Sequence, residues 1–389
     1  MTVQSRIDSA LRNAQAAQAV PGFVALATTA GATIYQGAFG LRDLSGQAPM
    51  QLDTVFWLAS MTKALTSFGA MQLVEQGRLS LDAPIADTLP ALAAPQVLEG
   101  FDAAGAPMLR PARDAITLRH LLTHTAGYGY GTWNPELGRY QEQTGVAPAP
   151  TNWTEAERVV LLFDPGTRWN YGINTDLVGK AVEAASGQSL DAYLRDHVLE
   201  PLGMQDTAFM LTQEQQARRA RMHARQADST LLPIDYAAGD ALPFCLGGGR
   251  LCSTGPDYLR FLCMILGGGS LDGVRLLRPE TVAEMQRNHI GDLEVTTLRS
   301  AVPATSNDAN LFPGMSQKWG LGFLINTAAG PAGRSAGSLA WAGLANTYYW
   351  IDPARGVAGL ILMQIMPFAD PGALSMLAAF ETAFYAELN

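Results

Sequence analysis

Trp57-Leu-Ala-Ser-Met-Thr-Lys-Ala64 opens a segment in which apolar residues return at helical spacing: Met61, Ala64, Leu65, Phe68, Met71, Leu73 and Val74, closed by Gly77. The spacing predicts a buried helix over residues 60–77 with Ser60 and Lys63 in its N-terminal turn. Residues three apart share a helix face, so the hydroxyl and the amine lie within reach of each other. A serine hydroxyl is a weak nucleophile until a partner takes its proton. An amine desolvated in a cleft gives up its own proton more readily, and as an ammonium it eases proton loss from a neighbouring phenol. The pair can therefore activate the hydroxyl by either route. Free N–H groups and the positive dipole end at the helix terminus also favour developing negative charge. Ser-x-x-Lys alone is common by chance in exposed helices, so its surroundings decide its meaning.

Upstream, an amphipathic N-terminal helix precedes two short apolar segments, Gly22 to Thr28 and Ala32 to Phe39, whose linker Thr29-Ala30-Gly31 reads as a hairpin. From about residue 80 to 245 strand signals mostly vanish. Helices near 117–124, 155–162, 175–186 and 190–199 alternate there with Pro/Gly/Asn loops. Ser253-Thr-Gly-Pro-Asp257 then starts a helix through Leu266, with proline in its first turn. Gly320–Thr327, Ser338–Trp350 and Gly356–Met366 read as single strands, the last two joined at Asp352-Pro-Ala-Arg-Gly356, and a closing helix covers 371–386. Strands at both chain ends with helices between them predict an α+β fold. An antiparallel sheet flanked by helices, from residues 1–79 and 246–389, carries an inserted mainly helical lobe, residues 80–245. The cleft between the two is the expected active site.

The first block is followed by Gly77-Arg-Leu-Ser-Leu-Asp-Ala-Pro84, His120-Leu-Leu-Thr-His-Thr-Ala-Gly127, Pro165-Gly-Thr-Arg-Trp-Asn-Tyr171, Leu246-Gly-Gly-Gly-Arg-Leu-Cys-Ser-Thr254 and Trp341-Ala-Gly343. In this order the six blocks resemble the serine β-lactamase and penicillin-binding-protein superfamily, most closely its class C-like branch that includes the family VIII carboxylesterases. The resemblance covers most of the chain and implies a β-lactamase-like fold. It implies Ser60 as the acylated nucleophile, Lys63 as its partner and Tyr171 as general base. It also implies an oxyanion hole made of the backbone N–H groups of Ser60 and Leu344. Two departures bear on substrate. Class C lactamases have Tyr-x-Asn in the second motif, whereas Tyr171 is followed by Gly172 and Ile173, with Asn174 one place late. Trp341-Ala-Gly343 replaces the usual Lys/His-Thr/Ser-Gly, as in family VIII esterases, and removes the cation that would hold a lactam or peptide carboxylate. Trp341 and Gly343 are thus expected beside the substrate, and Tyr128, Tyr130 and Trp133, in a Gly-rich loop, are candidates for the acyl or alcohol pocket.

Other signals yield to plainer readings. Gly333-Arg-Ser335-Ala-Gly337 matches the nucleophile-elbow pattern, but the α/β-hydrolase fold needs a histidine downstream, and none follows His289. His120 and His124 have metal-ligand spacing without a third ligand, and the resemblance makes their block structural. Gly267-Gly-Gly269 lacks the lysine and element order of a phosphate loop. Neither metal nor cofactor is called for. A formal charge of −9 with no dense Lys/Arg stripe argues against nucleic acid. The longest apolar run, Val357–Met366, is too short to span a bilayer, which argues against a membrane partner. Three cysteines without Cys-x-x-Cys spacing, and no secretory h-region, fit a cytoplasmic protein. The sequence therefore reads as a serine carboxylesterase acting on small neutral esters through an acyl-enzyme on Ser60. Its alternatives are an acyltransferase using the same intermediate, as in the lovastatin-type acyltransferases that share the motifs, a β-lactamase or D-aminopeptidase, and a penicillin-recognising binding protein.

Overall fold

A computed structural model describes residues 2–18, 20–146, 159–236 and 245–388. The N-terminal helix α1 (Val3–Gln18) leads into β1 (Gly22–Thr29) and β2 (Thr33–Asp43), paired antiparallel from Gly22↔Gly40 to Thr28↔Thr33, with β3 (Ala48–Pro49) on the outer edge of β2. Next come β4 (Phe56–Trp57), α2 (Thr62–Glu75), the hairpin β5 (Gln96–Phe101) and β6 (Pro107–Pro111), and the helices α3 (Leu118–Leu122), α4 (Pro135–Thr144), α5 (Asn174–Ser186) and α6 (Leu190–Leu194). A second hairpin, β7 (Met222–Arg225) and β8 (Leu231–Ile234), precedes β9 (Cys252–Ser253) and α7 (Gly255–Leu266). The chain ends with β10 (Gln317–Trp319), β11 (Leu324–Asn326), β12 (Leu339–Gly343), β13 (Thr347–Asp352), β14 (Val357–Leu362), β15 (Ile365–Met366) and α8 (Pro371–Ala386).

The principal sheet has eight strands in the order β10-β11-β12-β13-β14-β1-β2-β3, every neighbouring pair antiparallel, so both chain ends meet in its middle. Every residue of β13 and β14 is buried, because helices cover both faces. On one face α8 packs against α1 and sets Phe380 and Phe384 against the Trp350 ring. On the other, α7 lies along β1 and β14, and Tyr258 meets Tyr349. Apolar side chains on both sides of a strand explain why these segments read as continuous hydrophobic runs rather than alternating ones.

Several boundaries differ from the sequence reading, each for a local reason. Gly320–Thr327 is not one strand. The β10–β11 hairpin turns at Gly320 and Gly322, the latter at φ +102, where a Cβ would lie 2.7 Å from the Ser67 side chain. Ser338–Trp350 is likewise two strands, β12 and β13, turned at Asn346. That residue adopts φ 59, and its amide donates to the carbonyls of Ile365 and Pro367. Asparagine is a residue that tolerates the left-handed conformation, so it makes a turn without glycine or proline. The final apolar run also divides, since β15 leaves the sheet and pairs in parallel with β7. The segment expected to be mainly helical contains the β5–β6 and β7–β8 hairpins as well. The helix expected at 155–162 lies outside the described residues up to 158, and beyond it Leu161 bridges to Val97 in extended form. Among the described residues, no helix is long and apolar enough to cross a membrane, and no cluster of three or more His, Cys, Asp or Glu could hold a metal ion.

One buried ion pair ties the closing helix to the sheet. Arg334, in the β11–β12 loop, donates through Nε to Glu381 Oε2 of α8 at 2.7 Å and through Nη2 to Oε1, with its guanidinium 5.3 Å from the rings of both Phe312 and Trp350. The side chains are only 4% and 6% exposed. Removing one partner strands the other charge in the core, so Glu381→Ala should lower the unfolding free energy by about 3–5 kcal/mol, measured by urea titration.

Candidate active site

The Ser60 turn is built by strand pairing on one side and a left-handed residue on the other. β4 pairs with β9, Phe56 opposite Ser253 and Trp57 opposite Cys252, and the Leu58 N–H continues the ladder to Leu251 O at 2.9 Å. Ala59 then takes φ 46, a strained conformation for a residue with a Cβ, and the chain coils through Ala59–Met61 into α2. Thr62 Oγ1 donates to Ala59 O at 2.7 Å, and the Tyr258 hydroxyl donates to Met61 O at 3.0 Å, fixing the turn to α7. The end of β12 presses against the same turn. A Cβ on Gly343 would lie 2.2 Å from Leu58 O, and Thr347 Oγ1 donates to that oxygen at 3.2 Å. Only glycine fits at 343. Leu344, the next residue, is half-buried beside the cluster that contains Trp57 and Ala59.

Lys63 sits one helical turn beyond Ser60 and is 1% exposed. Its ammonium has three N–H bonds, and three acceptors take them: Ser60 Oγ at 3.1 Å, Tyr130 Oη at 3.3 Å and Gly248 O at 2.6 Å. The Tyr171 ring faces the ammonium, 4.8 Å from Nζ to centroid, while the Tyr171 hydroxyl accepts a hydrogen bond from Trp341 Nε1 at 3.2 Å. Tyr130 faces a different partner, its hydroxyl lying 3.5 Å from Asp176 Oδ2. Burial, and then the negative charge of Asp176, push the Tyr130 phenol well above its usual range. A phenolate oxygen at Tyr171 would meet an indole donor with a cation beside the ring, whereas one at Tyr130 would meet a carboxylate.

An aromatic wall surrounds Tyr171, with ring centroids of Trp133 at 5.4 Å, Tyr130 at 5.4 Å, Trp341 at 4.9 Å and His124 at 4.8 Å. Trp319 packs edge-on against Trp341 at 4.6 Å. The loops of Tyr130 and Tyr171 approach closely because Gly172 has no side chain, and a Cβ there would lie 2.5 Å from Tyr128 O. This accounts for the glycine that follows Tyr171. Asn174, one place late for the class C pattern, donates its amide to His124 Nδ1 at 3.0 Å. A cavity of about 520 Å³ borders the wall through Trp133 and Trp169, with Pro135, Leu162, Arg168 and Leu293 among its other walls. Ser60 and Lys63 do not line it.

Of the residues singled out in the sequence, Ser60, Lys63, Tyr130, Tyr171, Trp133, Trp341, Gly343 and Leu344 thus come together around one turn. Tyr128 does not join them. It is 1% exposed and packed in the core, its backbone oxygen accepting from Asn170. Tyr130 is more than a pocket residue, since its hydroxyl touches Lys63. His120 caps its own helix through Thr117, but His124 packs on Tyr171, with burial and then the Lys63 charge holding its imidazole well below the usual range and so neutral. Ser335 lies in the β11–β12 loop, where its N–H donates to Asp352. Sequence reasoning missed Asp176 and the Gly248 carbonyl. The available signals were Asp176 five residues after Tyr171 and the three glycines 247–249, neither of which carries an obvious chemical label.

With this geometry established, comparison with known proteins decides the family. The β-lactamase family matches residues 7–383. The chain belongs to it. Among relatives in the β-lactamase family, monacolin J acid methylbutanoyltransferase of Aspergillus terreus is 34% identical over 98% of this chain and 95% of its own length. The lovastatin esterase of Penicillium rubens is 31% identical over 93% of this chain and 91% of its own. Simvastatin synthase from Aspergillus terreus, in an unliganded structure, is 34% identical with a TM-score of 0.85, covering 100% of this chain and 99% of that one. A β-lactamase-family chain with these relatives is an enzyme of the serine acyl-enzyme kind.

The Trp341 indole is the donor on the Tyr171 hydroxyl, so Trp341→Phe deletes the bond while leaving a smaller aromatic ring in the wall. It should lower kcat/KM on an activated ester about tenfold, the worth of one hydrogen bond, with no change in the circular dichroism spectrum. A variant with unchanged kcat/KM would show that this bond does not serve the reaction.

Proposed function

We propose that the protein moves a small acyl group from an activated ester to an alcohol, through an acyl-enzyme on Ser60, with water as the competing acceptor. The observation that carries this reading is the saturated Lys63 ammonium, donating to Ser60 Oγ while its charge lies over the Tyr171 ring. Lys63 in that state has no lone pair with which to take a proton, so the base role falls to Tyr171. In the proposed sequence Tyr171, as phenolate, removes the Ser60 proton, and Oγ attacks the acyl carbonyl. The N–H groups of Ser60 and Leu344 hold the oxyanion as the tetrahedral intermediate forms. Tyr171 returns the proton to the departing alcohol, which leaves Ser60 acylated. An incoming alcohol then loses its proton to Tyr171 and attacks the acyl carbon, and Ser60 departs with that proton.

Substrate would lie between the lobe of residues 1–79 and 246–389, which supplies Ser60, Lys63 and Trp341, and the lobe of residues 80–245, which supplies Tyr130 and Tyr171. Two features favour an organic acceptor. The aromatic wall of Trp133, Trp341 and Tyr130 around Tyr171 offers an apolar contact surface to an alcohol and little purchase for water. The relatives include a transferase for a methylbutanoyl group, which moves the emphasis from plain hydrolysis, favoured by the motifs alone, to transfer. Hydrolysis remains the second reading, supported by the esterase among the relatives. A β-lactam is a poor third. An indole stands where a cation would bind its carboxylate, and losing that charge-assisted bond is worth about 1.5–3 kcal/mol, or roughly one to two decades in kcat/KM.

Product analysis separates the readings. With p-nitrophenyl butyrate and rising concentrations of a primary alcohol, the new butyrate ester should replace butyric acid as the main product, and Ser60→Ala should form neither. Butyric acid as the sole product at every alcohol concentration would make the enzyme a hydrolase. Nitrocefin turnover as fast as that of the ester would return the lactamase reading.

A further inference from the structure

Lys63 is 1% exposed, and an ammonium out of water needs acceptors for its hydrogens and an opposite charge nearby. The ionisable groups facing it from the surrounding elements are His124, Tyr130, Tyr171 and Asp176. The imidazole is held neutral and Tyr130 is held protonated. Asp176 is the carboxylate of the set; burial raises its pKa above the usual carboxylate range, while the Lys63 charge and the Gly248 N–H work in the opposite direction and favour its ionised form. It is 4% exposed and lies in the first turn of α5, five residues beyond Tyr171.

Two routes join it to Lys63. Asp176 Oδ1 accepts the Gly248 N–H at 2.8 Å, and Gly248 O accepts from Lys63 Nζ at 2.6 Å. The route runs through both faces of the Gly248 backbone, with an amide hydrogen aimed at the anion and a carbonyl oxygen at the cation, so each charge polarises donors and acceptors in favour of the other. Gly248 has to be glycine for this, since a Cβ there would lie 2.8 Å from both carboxylate oxygens. The second route passes through Tyr130, whose hydroxyl is 3.3 Å from Nζ and 3.5 Å from Asp176 Oδ2, placed to accept from the ammonium and turn its own proton to the carboxylate.

We infer that Asp176 is a positioning residue: through the Gly248 backbone and the Tyr130 hydroxyl it holds Lys63 as an ammonium against Ser60, leaving Tyr171 to exchange the proton. Without Asp176, Lys63 would become a neutral amine and a rival base. Asp176 thus selects between the two activation routes that Ser-x-x-Lys allows. The inference rests on Ser60 being the acylated residue, and its test is read on Ser60 directly.

The test is the pH dependence of the rate at which a fluorophosphonate labels Ser60, followed by peptide mapping. Asp176→Asn keeps an acceptor for the Gly248 N–H, removes the charge and replaces the oxygen facing Tyr130 by an amide donor. Taking away a neighbouring negative charge makes proton loss from Lys63 easier, so the alkaline limb should move to lower pH by about one unit or more. The plateau rate should fall about 10²-fold, the lower end of what a positioned proton-transfer group contributes. Tyr130→Phe should shift the limb in the same direction with about a tenfold loss, and the double variant should be no worse than Asp176→Asn, because one network is being cut twice. Tyr130→Phe carries the test by itself if Asp176→Asn does not fold. A slower rate with unmoved limbs would reduce Asp176 to a structural role and overturn the inference, as would faster labelling at neutral pH, which would make a neutral Lys63 the base. Failure of the wild-type enzyme to label at Ser60 would instead remove the acyl-enzyme reading itself, and this inference with it.

Discussion

A cation buried next to a hydroxyl is costly, and the surroundings of Ser60 are arranged around that cost. An ammonium out of water needs acceptors for all its hydrogens and opposite charge nearby, or it neutralises. Lys63 receives three acceptors from three separate parts of the chain: the turn leading into its own helix, the loop before α4 and the glycine loop before β9. None of these is free to move without leaving a buried donor unsatisfied. That requirement holds distant parts of the chain in register at the site, because Tyr130 and Asp176 come from its middle and Ser60, Lys63 and Gly248 from the segments on either side.

Close approach of backbones is the second constraint, and glycine meets it in each case. Gly343 lets β12 reach the Leu58 carbonyl, Gly172 lets the Tyr171 segment cross Tyr128, and Gly248 lays its backbone on Asp176. At Gly343 and Gly172 an added methyl group would overlap main-chain oxygens, which cannot rotate aside as a flexible side chain would, and at Gly248 it would press on the Asp176 carboxylate. The left-handed Ala59 belongs with them. It turns the chain sharply between a strand and a helix, so that Ser60 stands at the start of α2 with its hydroxyl toward Lys63.

The third motif has a positive role as well as a missing one. Replacing a cation by Trp341 removes attraction for a carboxylate, but the indole also supplies a hydrogen-bond donor to the Tyr171 oxygen and joins a wall of rings. In the proposed reaction Ser60 and Tyr171 serve as nucleophile and base, and the third motif changes what approaches them. Whether an acyl-enzyme passes its acyl group to water or to an alcohol depends on what binds against that wall, a matter of contact surface rather than of the reacting groups.

The α+β class, the closing of the sheet by both chain ends, and the grouping of Ser60, Lys63 and Tyr171 around one turn were legible in the sequence. Periodicity reports a helix wherever one face is buried, and ordered motif blocks survive because chemistry needs those residue types. The strand turn at Asn346 was not legible, because an amide in the left-handed region leaves none of the glycine or proline that marks most turns. The short hairpins of residues 96–111 and 222–234 were missed since their strands are half-exposed and lack a long apolar run. Tyr128 and Tyr130 look alike in a Gly-rich loop, and only folding decides that the first fills the core while the second reaches Lys63. Asp176 and the Gly248 carbonyl were invisible for a deeper reason. A carboxylate in the first turn of a helix and a carbonyl in a glycine loop are unremarkable by themselves, and they acquire their role only through the distances that set them around one buried charge. The sequence by itself thus determined which side chains are available for the proposed reaction, since their functional groups are fixed by covalent chemistry. Tertiary structure alone decided their electrostatic environment, because that depends on which residues, far apart in the chain, exclude water together.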